Sequence, residues 1–176
     1  LVEIYGIKSK TELAKKIQDI IVYLDNCYDG EKNSTFVQQI KGMIREFEEE
    51  LVWSRYGVQI RDVHHLRLGF YKGDIFPEVP QQKRDVEPVL ELLRNLDPTV
   101  ITVAFDPEGS GPDTHYKVLQ TIADALRIWQ KENDLSSLRI WGYRNVWHRF
   151  DPSETDIMIP VSLNSMATLR DTFMTC

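Results

Sequence analysis

Four side chains able to do acid–base or metal chemistry fall close together in this sequence: Asp106, Glu108, Asp113 and His115. They lie in and just after D-P-E-G-S-G-P-D, a segment whose prolines and glycines form turns. A carboxylate can accept a proton from water or orient an imidazole, and an imidazole can ligate a metal. Asp106, Glu108, Asp113 and His115 are the candidate site residues. Each also has a plainer reading. Asp106 suits a turn former before Pro107 as well as an acceptor for His115, and His115 suits a polar residue in a first helical turn. A second group, Tyr143, Arg144 and His148, follows a later apolar run and can hydrogen-bond a bound molecule. Ordinary packing or surface roles account for them too.

The elements that must position these groups can be read around them. Val100 to Phe105 is a short apolar run rich in β-branched residues, as a strand buried on both faces is. After the loop, Leu119, Ile122, Ala123, Leu126 and Trp129 recur at helical spacing. The order is strand, polar loop, helix, and in an open α/β sheet ligands bind beyond a strand's carboxyl end. Upstream, Asp85 is placed to cap a helix with Pro88 in its first turn and Val89, Leu92, Leu93 and Leu96 on one face. Asp97-Pro98 stops that helix.

Further strands are expected near 64–70, 138–147 and 157–163, with Gly142 as a bulge and Pro160 marking an edge. His64 and His65, adjacent on such a strand, would face opposite sides. Ser9-Lys10-Thr11-Glu12 has the form of a capping box ahead of a helix through Leu13, Ile17, Ile20, Ile21 and Leu24. A second helix carries Phe36, Ile40, Met43, Ile44, Phe47 and Leu51, with the acidic run Glu46 to Glu50 as a solvated face. A last helix starts at Asn164 or Ser165. This alternation predicts an α/β fold: a three-layer, Rossmann-like, mostly parallel sheet with helices on both faces. Residues 1–176 are expected to form one domain, 1–57 mainly helical and 58–176 alternating strand and helix.

The chain has 176 residues, is 42% hydrophobic and 27% charged, and carries a net charge of −6. An acidic chain without a basic cluster argues against a nucleic-acid surface. Cys27 and Cys176 are isolated, with neither metal spacing nor a disulfide framework, so a reducing cytoplasm is expected. No apolar run reaches membrane-spanning length and no signal peptide opens the chain. Its start at Leu1 suggests a fragment or a processed product.

The stretch from Val100 onward also carries a family resemblance. A strand, D-P-x-G-S, then Gly111-Pro112-Asp113-Thr114-His115 opening a helix resembles the second motif of the LmbE/PIG-L metal-dependent N-deacetylases, which usually reads H-P-D-H. Here the first His is absent and one residue is inserted. Arg45-x-x-Glu48, followed by Tyr56-Gly57-Val58, resembles the family's R-x-x-E helix. Motif order and flanking sequence look most like the LmbE-type domain fused behind a glucosamine-6-phosphate deaminase domain in some bacterial proteins. The resemblance covers roughly residues 36–176.

The resemblance implies hydrolysis of an N-acyl amide on an amino sugar, with zinc polarising the carbonyl and activating water. In the family, another His, an Asp ligand and the base come from P-H-P-D-D, and this sequence contains neither that motif nor any H-x-D-D. The resemblance makes His115 the candidate metal ligand and Asp106 and Asp113 the candidate catalytic carboxylates, but zinc binding by these residues alone is expected to be weak or absent. Tyr143, Arg144 and His148 become candidate contacts to an amino sugar or sugar phosphate. Trp141, Tyr143, Trp147 and Phe150 could form a sugar-stacking face, although a core-and-edge strand explains them more cheaply.

Three functions follow: part of an LmbE-like amidohydrolase, a non-catalytic sugar-phosphate-binding or regulatory domain of a glucosamine-6-phosphate deaminase, or a non-enzymatic α/β domain. The family's strand order further implies missing amino-terminal strands next to Val100–Phe105. An upstream segment, or a second copy in a homo-oligomer, would then pair there.

Overall fold

The computed structural model describes residues 2, 6–70, 78–106, 113–144 and 148–175. The chain forms two compact units, Leu1–His65 with Val161–Cys176, and Leu66–Pro160.

The first unit is helical. Helix α1 spans Lys10–Asp25, α2 spans Thr35–Arg55, and α5 spans Leu163–Thr175. The Ser9 hydroxyl accepts the Glu12 amide at 3.1 Å, as the capping box predicts. The return bond comes one residue early, from the Lys8 amide to Glu12 Oε2 at 3.2 Å. Tyr23 joins α1 to α2: its hydroxyl accepts the Ser34 amide at 2.8 Å and its ring meets Phe36 at a centroid distance of 5.7 Å. Among the described residues of this unit, the buried apolar side chains are Ile7 and Val37.

The second unit holds the larger core and the sheet. Helix α3 spans Glu87–Leu96, strand β1 Val100–Ala104, helix α4 Asp113–Trp129 and strand β2 Arg139–Tyr143. The strands are parallel, with Thr102 opposite Trp141 and Val103 opposite Gly142. Parallel neighbours need a crossover, and α4 supplies it. Val89, Leu90 and Leu93 of α3 pack with Ala125 and Trp129 of α4, and with Leu68 and Phe70. Ile101 of β1 packs against this cluster. The α/β class expected from the sequence is the class observed, with a sheet that is two-stranded among the described residues.

Two expected strands are not strands. Residues 66–70 alternate as a strand would, since Leu68 and Phe70 are buried while Arg67 is exposed, although His64, on the same face as Leu68, is exposed. But Arg67 takes a left-handed φ of 49°, which breaks an extended run. The Gly69 amide then goes to the Asp85 carboxylate at 2.5 Å instead of to a neighbouring strand. Residues 157–162 form no ladder either: Ile157, Met158, Ile159 and Val161 are all exposed, so they do not alternate between core and solvent. Pro160 also lacks a ladder donor.

Three smaller expectations change. Strand β2 stops at Tyr143; residues 145–147 lie outside those described. Gly142 stays in continuous register and makes no bulge. Its missing side chain leaves room for Phe105, whose Cβ lies 3.0 Å from where a Cβ on residue 142 would be. Asp85 does not cap α3. It sits in the turn Gln82–Val86 just before that helix and accepts the Gln81 amide at 2.8 Å as well as Gly69.

Asp85 is fully buried and is also paired with Arg84 at 2.9 Å. Burial alone would raise its pKa; the Arg84 hydrogen bond and the Gln81 and Gly69 amides outweigh that and hold it below the ordinary aspartate value. The same pairing raises the Arg84 pKa.

Candidate functional site at the carboxyl end of the sheet

Strand β1 delivers Asp106 two residues past its last paired position, and α4 presents His115 on its first turn. The two side chains meet: His115 Nδ1 lies 3.2 Å from Asp106 Oδ2. The Asp106 side chain is only 6% exposed and that of His115 30%. Because the contact uses Nδ1, Nε2 is the nitrogen available to any other partner. A carboxylate on one imidazole nitrogen fixes the ring and its tautomer, an arrangement used both for general bases and behind metal-ligating histidines. Asp113 opens α4; its side chain and Glu108 fall outside the described positions.

A separate cleft of about 590 Å³ is lined by Thr102 of β1 and by Ile140, Trp141, Gly142 and Tyr143 of β2; neither Asp106 nor His115 is among its described lining residues. It begins at Phe105, the neighbour of Asp106, whose amide extends the ladder to the Tyr143 carbonyl at 2.7 Å. Phe150, Glu154, Asp156, Ile157 and Ile159 complete much of its wall. Its size is that of a small-molecule site.

The chain after β2 is held back toward the cleft by Arg144. This guanidinium stacks on Phe150, 4.2 Å from the ring centroid, and donates to the Arg149 carbonyl at 3.0 Å. Asp151 then caps the turn Pro152–Glu154, accepting the Ser153 amide at 2.9 Å. Bonds from the Ser153 hydroxyl and amide hold the Asp151 pKa below its ordinary value.

The sequence candidates thus separate. Asp106 and His115 are brought together. Tyr143 lines the cleft, whereas Arg144 organises the segment behind it and His148 is not among the described lining residues. Trp141 and Phe150 line the cleft; Trp147 lies outside the described residues. Glu154 and Asp156 were not singled out from sequence. Arg45 pairs with Glu48 at 3.1 Å on the surface of α2, a structural arrangement.

A catalytic zinc takes three protein ligands. Among the described residues no three His, Cys, Asp or Glu side chains converge. The described donor set does not fit a zinc centre. Nor, among those residues, is any helix long and apolar enough to cross a membrane.

Comparison with known proteins places one name beside this geometry. The chain is 28% identical over 177 positions to a Bacteroides thetaiotaomicron protein named "Putative glucosamine-6-phosphate deaminase-like protein". The match covers 98% of this chain and 26% of the relative, so the chain spans about a quarter of that protein's length. No protein-family model and no solved structure matches the chain.

Proposed function

We propose that this chain is an amino-sugar-binding part of a longer amino-sugar enzyme, LmbE-like in outline, and that these residues bind the sugar without hydrolysing an amide. The aromatic cleft along β2 carries the reading, because it joins stacking surfaces to polar groups in a volume that fits a small molecule. The relative's name, which contains glucosamine-6-phosphate, supplies the amino-sugar class. On the same reading, deamination belongs to another part of the polypeptide. The edge of β1 not occupied by β2 takes a strand from a further segment or from a second copy.

A second reading, zinc-dependent N-deacetylation, is favoured by one observation: Asp106 sits behind His115 as carboxylates sit behind metal-ligating histidines. Calorimetric titration with glucosamine, glucosamine 6-phosphate and glucose, together with acetate release from N-acetylglucosamine in added zinc, separates the two. The binding reading expects an amino sugar to bind in preference to glucose and no acetate to appear. Zinc-dependent acetate release that is lost in His115→Ala would overturn it in favour of the deacetylase.

A further inference from the structure

We infer that the cleft selects a protonated amine carried on a six-membered ring, and discriminates against a phosphate on the same ring. This rests on the amino-sugar reading for its natural ligand. The cleft's own chemistry supplies the rest.

Trp141 and Tyr143 stand two residues apart on β2, so their side chains lie on one sheet face, about 7 Å apart. That spacing makes a platform on which a sugar-sized ring can lie by its C–H face. Thr102, directly opposite Trp141, offers a hydroxyl to ring hydroxyls. Glu154 and Asp156 line the same cleft.

No Lys, Arg or His is among the described residues lining the cleft. Of the nearby cations, Arg144 is stacked on Phe150 and bonded to the Arg149 carbonyl, and neither it nor Arg139 nor Arg149 is among the described lining residues. Aromatic faces and carboxylates both attract an ammonium group, by the ring quadrupole and by charge-assisted hydrogen bonds. The same carboxylates repel a phosphate held within a Debye length.

The test is calorimetric titration of the whole chain with glucosamine, N-acetylglucosamine, glucosamine 6-phosphate and cyclohexylammonium, for the wild type and for Glu154→Gln/Asp156→Asn. Both substituted side chains are exposed, so the double variant should melt with the wild type. Expected are binding of glucosamine and cyclohexylammonium, weaker binding of the acetylated and phosphorylated sugars, and a loss of about tenfold for the amines in the double variant.

Tighter binding of glucosamine 6-phosphate than of glucosamine, with the double variant unchanged, would overturn the inference and leave the amino-sugar reading standing. Cyclohexylammonium binding that depends on Glu154 and Asp156, with no amino sugar bound, would support the cation site and overturn the amino-sugar reading. Absence of binding by every probe overturns both.

Discussion

Helices in both units carry apolar stripes at the same spacing, yet the two units bury them differently. On α1 and α2, Ile21, Ile44 and Phe47 remain exposed, Phe47 by 60%. On α3 and α4, Val89, Leu90, Leu93, Ala125 and Trp129 are buried together. Periodicity specifies which face of a helix is apolar; it does not specify what covers that face. In the second unit the cover comes from distant segments: Leu68 and Phe70 reach α3 because Asp85 bonds the Gly69 amide. In the first unit the links between elements are thinner, as the Tyr23 hydroxyl between α1 and α2 illustrates.

The largest expected effect sharpens this contrast. Phe70 is 1% exposed, so Phe70→Ala should cost about 4 kcal/mol in urea unfolding. Phe47→Ala, on the exposed stripe of α2, should cost less than about 1 kcal/mol. Equal losses would mean that the stripe on α2 is covered as well as the core of the second unit.

Next in size is Asp85→Ala, expected to cost about 3 kcal/mol, because it strands two backbone amides and leaves Arg84 without its buried partner. The pH dependence has a definite sign. The folded pKa of Asp85 is depressed below 3.8, so its contribution is full above that value. It is lost as pH falls from there through the folded pKa. Asp85→Asn should therefore flatten the acid limb of the stability curve, measured by urea titrations from neutral pH down through the aspartate range. A variant curve parallel to wild type would show that Asp85 does not drive it.

Smaller again is Ser9→Ala, expected to cost about 1 kcal/mol through loss of the α1 cap. Amide exchange should quicken in the first turn of α1 and stay unchanged in α3, β1 and α4. Faster exchange in α4 would show that the units are coupled through that cap.

The sequence displayed the parts of the second unit whose signals are local. Val100–Ala104 reads as a strand from composition, and Leu119 to Trp129 as a helix from spacing. The Asp106–His115 meeting follows from that order, since a strand end and a helix start are close across a short loop. What stayed hidden depends on backbone angles or distant partners. Leu66, Leu68 and Phe70 alternate like a strand, and nothing in that alternation reveals the left-handed Arg67. Asp85 looks like a cap because its receivers, Gly69 and Gln81, are fixed only by the fold. Glu154 and Asp156 reach the cleft through Arg144 and the capped turn at Asp151, contacts without a periodic signature.

The central claim is that the amino-sugar site lies in the second unit, on the face of Trp141 and Tyr143. Backbone and indole NMR shifts followed during titration with glucosamine test it most directly. The account predicts shifts concentrated at Thr102, Phe105, Trp141, Tyr143 and residues 150–159, with α1 and α2 unmoved. Shifts centred on α1 and α2, or none at saturating sugar, would contradict it.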